Sequence, residues 1–175
     1  MKRFFFLLRV LALGSTAAVS IHASCAAQPG EAFADFTDDG GWCWFSDPRA
    51  VSRGGKTFSG WVKEDGSIEA ASVDHASGRI DSFPLHDGYE RDDHDNPAFL
   101  FLPDGRLRAF YAKHGKVAEI NTRVTTRPGD VTAWEPEVAI KPVDKSRKTS
   151  GITYANPFML SGENNTIYLF WRGIS

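Results

Sequence analysis

Two histidines and a tyrosine are the residues of this sequence best suited to move a proton. His94 stands in the polar string of residues 92–96, and His114 follows 20 positions later, after an aromatic segment. Tyr154 and Arg172 occupy matching places further along the chain, before and after another such segment. Histidine exchanges protons near neutral pH, tyrosine can donate one, and arginine binds carboxylates through two parallel hydrogen bonds. Together these residue types form a candidate reaction site.

Short strands separated by turns must position these side chains. The clearest hairpin spans residues 56–73, whose turn contains Asp65-Gly66, a pair that favours tight reversal because glycine tolerates a positive φ. The same arrangement recurs in residues 97–111 and 157–171. Helical periodicity is almost absent, so the predicted fold class is all-β.

A repeated plan organises these hairpins. Pro48, Pro97 and Pro157 each begin a short apolar strand, which is followed by a turn with glycine and a second strand that ends in an aromatic residue. The intervals of 49 and 60 residues suit the four-stranded blade of a β-propeller. Residues before the first strand of a blade and after the second meet at one rim, which would bring His94 next to His114. A β-sandwich with similar hairpins is the alternative fold.

The number of predicted blades is smaller than a ring requires. The sequence supplies two nearly complete blades and half of a third, whereas a closed propeller has four to eight. An open blade would leave an unpaired strand edge and an uncovered apolar face. We therefore expect residues 28–175 to be the N-terminal part of a β-propeller domain, a fragment that neither folds nor acts by itself.

The N-terminus has the pattern of an export signal. Lys2 and Arg3 precede an apolar run and then small residues, which predicts a secretory signal peptide over residues 1–27. Cleavage there predicts a secreted or periplasmic protein, with lipidation at Cys25 as the lesser alternative. The apolar run falls short of the roughly 20 residues that a membrane span needs. The mature part keeps one cysteine, Cys43, so no internal disulfide is available.

Composition narrows the classes of partner. The chain of 175 residues carries 20 Lys+Arg against 22 Asp+Glu, a formal charge of −2, and lacks the basic excess of a nucleic-acid-binding surface. Hydrophobic residues make up 42% of the sequence, which is enough for a globular core. We expect neither a nucleic-acid partner nor a membrane span.

Three segments carry a resemblance to a known family. They are residues 41–51, 92–98 and 111–114, which read GWCWFSDPRAV, DDHDNPA and YAKH. Together they resemble the BNR-repeat-containing propeller family, which includes polysaccharide lyases of the ulvan lyase type that are built as seven-bladed propellers. The resemblance covers essentially the whole mature part. It implies a polysaccharide or oligosaccharide with uronic acid as the substrate.

The resemblance also implies roles for individual side chains. It places His94 and His114 at the lyase histidines, Tyr154 at the catalytic tyrosine, and Arg172 at the arginine that faces the substrate carboxylate. In β-elimination the C5 proton of a uronate is removed while its carboxylate is neutralised, which suits a histidine base and an arginine clamp. A tyrosine hydroxyl could protonate the leaving oxygen, and His114 would hold or tune the pair.

Other residues near the same rim are candidates for binding the sugar chain: Trp44, Asp47, Arg49, Asp93, Asn96 and Lys113. No organic cofactor is implied. The acids around His94 leave a structural calcium ion as a lesser alternative, because consecutive residues point in different directions. Zinc is not expected, since Cys43 has no cysteine or histidine at finger spacing.

Two other functions stay open on the residues alone. A sialidase-like glycoside hydrolase would use a carboxylate pair such as Asp47 and Asp93, and residues 125–134 faintly resemble the Asp-box turn of that class. A non-catalytic glycan-binding propeller would use the same rim without needing His94 or Tyr154. Only the lyase would release an unsaturated uronate, which absorbs ultraviolet light.

Overall fold

The computed structural model describes residues 35–43, 49–141 and 151–174, which fold into antiparallel sheets. The first sheet consists of β1 (Val51–Arg53), β2 (Lys56–Val62), β3 (Ile68–Asp74) and β4 (Ile80–His86), in that order. The second consists of β5 (Ala98–Phe101), β6 (Leu107–Tyr111), β7 (Ile120–Val124) and β8 (Val138–Ile140). The third pairs β9 (Gly151–Leu160) with β10 (Thr166–Ile174). Short 3-10 helices occupy Asp93–Asp95 and Ser161–Glu163, and no helix among these residues is long and apolar enough to cross a membrane.

The hairpins reverse at the turns that the sequence predicted. Gly66 and Gly105 adopt φ of 86° and 84°, and Asn164 of the third hairpin adopts 53°. These are left-handed conformations that glycine and asparagine tolerate better than other residues. One strand differs from prediction, because β9 begins at Gly151 and not at Pro157.

Alternate side chains of β6 pack into two different cores. Leu107 and Tyr111 join a cluster that includes Phe58 of the first sheet. Phe110 points the other way and joins Ile152 of the third sheet in a second cluster. Because the side chains of a strand alternate between its faces, the second sheet is a layer covered on both sides. Stacked four-stranded layers of this kind are the blades of a β-propeller, whereas a sandwich has one core between two sheets.

Strand direction decides which residues meet at a rim. β5 begins just after residues 92–96 and β6 ends just before residues 113–114. The two strands are antiparallel neighbours, with Ala98 opposite Phe110. The polar string and His114 therefore lie at the same end of the second blade, as the repeated plan predicted.

Gly60 marks a close approach between the first two blades. An added Cβ would lie 2.5 Å from the carbonyl oxygen of Glu69, 2.6 Å from Cγ of Pro97 and 2.9 Å from Cζ of Phe99. Gly60→Ala should therefore destabilise the intact protein by about 1–3 kcal/mol, seen as a lower midpoint of urea unfolding. Gly162→Ala is the matched control, because its Cβ would meet nothing within 4 Å. Equal midpoints for the two variants would contradict this packing.

Candidate active site

His94 and His114 lie against each other at the rim of the second blade. Their rings stack with centroids 3.8 Å apart and 9° between their planes. Asp92 holds both rings, since its Oδ1 lies 2.7 Å from Nδ1 of His94 and its Oδ2 lies 2.9 Å from Nδ1 of His114. Its Oδ1 also accepts from the backbone N–H of His94 at 3.0 Å, which caps the helix Asp93–Asp95. One aspartate thus orients two imidazoles.

The charge of Asp92 decides which ring nitrogens are free. Burial alone would raise the pKa of this carboxyl, but hydrogen bonds from the His94 backbone and from both imidazoles outweigh burial and hold the pKa below its ordinary value. An ionised carboxylate only accepts hydrogen bonds, so each Nδ1 carries a proton. In a neutral imidazole the other nitrogen then offers its lone pair. Nε2 is therefore the atom of either ring that can take a proton from a substrate.

Tyr154 reaches the histidines through an irregularity of the third sheet. Its φ is 55°, a left-handed conformation that residues with a side chain rarely adopt. The register of β9 with β10 shifts between Phe170 and Arg172, so a β-bulge lies close by. The centroid of the Tyr154 ring lies 5.4 Å from that of the His94 ring, and the two ring planes are tilted by 41°. Tyr154 thus belongs to a strand, whereas the sequence placed it before a strand that begins at Pro157.

The hydroxyl of Tyr154 stays protonated at neutral pH. It lies 3.5 Å from Sγ of Cys43. Burial, then the contact with Cys43 and the charge of Asp93, raises the pKa of this phenol to about 12, while the charge of Arg172 acts in the opposite direction. A phenol with this pKa keeps its proton at neutral pH and can give it to a strongly basic oxygen.

Two guanidinium groups lie near the ring of Tyr154. Cζ of Arg172 lies 5.0 Å from the ring centroid, and Cζ of Arg49 lies 5.9 Å from it. Arg49 also donates from Nη1 to the backbone carbonyl of Asn96 at 2.7 Å. Arg172 is exposed and forms no salt bridge within the described part of the chain. Its fork of donors can therefore bind a carboxylate that comes from outside.

Asp93 joins the histidine pair. Its Oδ1 lies 2.8 Å from Nδ1 of His94, and its side chain is 37% exposed. Trp44 and Asp47, which were predicted at the same rim, lie outside the described residues. The hydrolase hypothesis relied on a pair of Asp47 and Asp93, of which only Asp93 is described.

Asn96 and Lys113, both predicted to bind sugar, make contacts within the protein. Oδ1 of Asn96 accepts from the backbone N–H of Val62 at 2.9 Å, and Nδ2 donates to the carbonyl of Gly41 at 3.4 Å. The ammonium of Lys113 lies 5.1 Å from the ring centroid of buried Tyr89. Both side chains are therefore engaged within the protein and help to fix the rim.

Three residues of the site were missed by sequence reasoning: Asp92, Cys43 and Glu90. The sequence did contain a local indication of the role of Asp92, because an aspartate side chain commonly accepts a hydrogen bond from the backbone N–H two residues later. Cys43 is 111 residues from Tyr154 in sequence, and no local pattern links the two. Glu90 accepts from the backbone N–H of His114 at 3.2 Å and supports that loop.

Two groups of side chains could hold a cation: Asp92 with His94 and His114, and Cys43 with Asp93 and His94. The ligand atoms of each group lie within 4.8 Å of one another. The rings of the first group stack with 9° between their planes, so their nitrogen lone pairs lie in two nearly parallel planes. The distances from Nδ1 of each ring to Asp92 fit hydrogen bonds. Asp93 and His94, the possible partners of Cys43, are about 50 residues away in sequence, so the short spacing typical of zinc fingers does not include them.

A family comparison decides where this propeller belongs. The sequence profile described as BNR repeat-containing family member matches residues 56–175, more than half of the chain. The chain belongs to the BNR repeat-containing family. Among curated proteins, none matches it.

Two solved structures are similar to this BNR-repeat chain. Both are described as a new family of polysaccharide lyase, an ulvan lyase, and one is bound to a saccharide of glucuronic acid linked 1-4 to rhamnose 3-sulfate. Each aligns with a TM-score of 0.57 and 23% identity, over 78% of this chain and 34% of the solved chain. The chain thus spans about a third of the length of these lyases. The likeness agrees with the propeller fold derived from the packing of β6.

The Asp-box-like turn of this BNR-repeat chain lies at the other end of the blade from His114. It follows β7, which runs away from that rim. Asp130 accepts from the N–H of Thr132 at 2.8 Å and from its hydroxyl at 2.6 Å, and Trp134 donates from Nε1 to the carbonyl of Val131 at 2.7 Å. Hydrogen bonds from Thr132 lower the pKa of Asp130 to about 2. These contacts close the turn on itself and leave it remote from the histidines.

Asp95 is a buried acid in the histidine loop of this BNR-repeat chain. Its exposure is 0%, and neither carboxylate oxygen has a hydrogen-bond partner among the described residues. Burial, followed by the charges of Glu90 and Asp92, raises the pKa of Asp95 from 3.8 to about 9. Between these pH values the folded protein keeps a proton that the unfolded chain has released.

The free energy of unfolding should consequently fall as pH rises. The contribution of protonated Asp95 is complete below pH 3.8 and is lost as pH rises to about 9. Asp95→Asn keeps the shape and removes the titrating group, so its melting temperature should exceed that of the parent at mildly alkaline pH. Melting curves of both proteins across this range check the prediction. Curves that stay parallel would contradict it.

Proposed function

We propose that the intact protein that carries this chain is an exported polysaccharide lyase, which cleaves a uronate-containing, ulvan-like polysaccharide by β-elimination. The observation that carries the proposal is that residues able to accept and to donate a proton lie close together. The histidine pair bonded to Asp92 lies beside Tyr154, with 5.4 Å between the ring centroids of His94 and Tyr154. Membership of the BNR repeat-containing family and the likeness to ulvan lyase structures support the same reaction class.

The reaction begins at the carboxylate and C5 of the uronate. Arg172 binds the carboxylate with two hydrogen bonds, which neutralises its charge and stabilises the enolate that develops when C5 loses its proton. Nε2 of His94 takes that proton, because Nδ1 is bonded to Asp92. His114, held by the other oxygen of the same carboxylate, fixes the plane of the His94 ring.

The electron pair left at C5 then forms the double bond between C4 and C5, and the bond from C4 to the leaving oxygen breaks. Tyr154 gives its proton to that oxygen, which its high pKa permits only when the acceptor is strongly basic. The products are a new hydroxyl end and a 4,5-unsaturated uronate. The proton on His94 then returns to the Tyr154 phenolate, and the site is restored.

The remaining rim residues complete the cleft. Arg49 contacts the Tyr154 ring, and Asp93 lies at the exposed side of His94, so both can contact sugar units next to the cleaved bond. We assign Trp44 and Asp47 to the same role on the sequence alone. Export follows from the signal peptide predicted over residues 1–27.

The test is incubation of the intact protein with ulvan and with other uronate polysaccharides. Ultraviolet absorbance of the unsaturated uronate and release of reducing ends are followed together. Absorbance that rises in step with reducing ends supports elimination. Reducing ends without absorbance would overturn the proposal in favour of a hydrolase, and oligosaccharide binding without cleavage would overturn it in favour of a binding propeller.

A further inference from the structure

A second cavity lies at the opposite rim from the histidines. It has a volume of about 490 Å³, opens to solvent and is lined by three turns: the one between β1 and β2, the one between β5 and β6, and the one that follows β7. The residues that give it its chemistry are Arg53, Lys56, Phe101 and Asp104. Its volume lies within the range of ligand-binding cavities in proteins. No step of the elimination uses it.

Neither cation of this turn cavity is held in a salt bridge by the part of the chain that the structure describes. Arg53 forms no salt bridge among the described residues, and its Cζ lies 5.3 Å from the ring centroid of Phe101. Lys56 donates to the carbonyl of Gly129 at the long distance of 3.4 Å. Asp74 lies opposite Lys56 in the sheet, but its carboxylate accepts from Ser77 at 2.8 Å.

The carboxylate inside the turn cavity is already neutralised. Asp104 accepts from the backbone N–H of Arg106 at 3.0 Å and pairs with Nε of the same residue at 2.7 Å. The charge that remains toward the cavity is therefore positive, contributed by Arg53 and Lys56. A cavity with this balance attracts an anion.

An aromatic side chain in the wall of the cavity adds a second criterion for the ligand. The ring of Phe101 is half-buried and is fixed by edge-on packing against Phe58, with centroids 5.3 Å apart and 87° between planes. Arg53 covers part of this ring, and the part that lines the cavity offers an apolar contact that a free inorganic anion does not use. A sugar ring with a carboxylate or sulfate ester presents both an apolar C–H face and a negative charge.

We propose that the turn cavity binds an anionic sugar unit, and that it forms a saccharide-binding site separate from the histidine site. The inference rests on the proposed function for the source of the sugar, since a chain held at one rim of the protein raises its local concentration at the other. The charge and the aromatic wall of the cavity are independent of whether His94 catalyses elimination.

Calorimetric titration of the intact protein tests the proposal in a His94→Ala background, which stops turnover. The probes are an ulvan oligosaccharide of glucuronic acid and sulfated rhamnose, a neutral oligosaccharide of equal length, and inorganic sulfate. We expect the ulvan probe to bind at two sites. Combining Arg53→Ala with Lys56→Ala should weaken one of them by about 10-fold or more and leave the other unchanged.

The matched control is Arg79→Ala, a cation at the turn between β3 and β4 that does not line the cavity and already pairs with Asp81 at 2.9 Å. It should leave both binding events intact. Two unchanged events in the Arg53 and Lys56 variant would overturn the proposal, and so would equal binding of the neutral probe or binding of sulfate alone. A protein that cleaves nothing but keeps the Arg53-dependent event would refute the lyase function and leave this site standing.

Discussion

His94→Ala should lower the rate of elimination by about 100- to 10,000-fold, the usual contribution of a positioned general base. Asp92 is hydrogen-bonded to Nδ1 of His94, so the lone pair on Nε2 is free to accept a proton, and the ring lies beside Tyr154. Truncation removes that acceptor and leaves Arg172 in place to bind the uronate, so kcat should fall far more than KM rises. Initial rates of ultraviolet absorbance on ulvan, measured over a range of substrate concentrations, separate the two effects.

Tyr154→Phe completes this prediction, because it removes the proton donor and keeps the ring that both arginines contact. A base and an acid that act in one step should give a double variant little slower than the slower single variant. His75→Ala is the control, since His75 is an exposed histidine whose Nε2 lies 2.8 Å from the Thr57 hydroxyl. A His94→Ala protein that keeps more than about a tenth of the parent rate would refute the assignment, because a general base contributes at least about 100-fold.

The sequence could predict the features of the fold that are encoded locally. Turn pairs such as Asp65-Gly66 favour a reversal between two short apolar strands, and alternating side chains decide which face of a strand is buried. The meeting of His94 and His114 also followed from local reasoning, because β5 and β6 are joined by a short turn and must be antiparallel. These predictions agree with the structure because each needs only neighbouring residues.

The geometry around Tyr154 could not be predicted in this way. Its approach to His94 depends on a positive φ and on a bulge between β9 and β10, and no residue preference in a single sequence marks either one. Its hydroxyl contacts Cys43 across 111 residues. Asn96, which the sequence assigned to sugar binding, accepts a hydrogen bond from Val62 of the neighbouring blade, a contact that no linear pattern marks. Tertiary packing therefore decides which contacts the polar residues of a rim make.

Asp92→Asn should lower turnover by about 10-fold or more, although the side chain keeps its shape. An asparagine offers one acceptor oxygen and one donor NH₂ in place of two acceptor oxygens. It can therefore accept from Nδ1–H of one imidazole, while its NH₂ faces the other ring, which must then carry its proton on Nε2. Where that ring is His94, the lone pair needed for C5 is lost. Where it is His114, the carboxylate bond that holds His114 against His94 is lost.

The split between kcat and KM distinguishes this positioning role from a purely structural one. Asp92→Asn leaves Arg172 in place to bind the uronate, and Asp93 still lies 2.8 Å from Nδ1 of His94, so kcat should fall while KM stays near the parent value. Asp81→Asn, which breaks a surface ion pair with Arg79, should keep both parent values. If Asp92→Asn lowers the melting temperature and raises KM as much as it lowers kcat, then Asp92 only supports the loop, and another group must set the tautomer of the base.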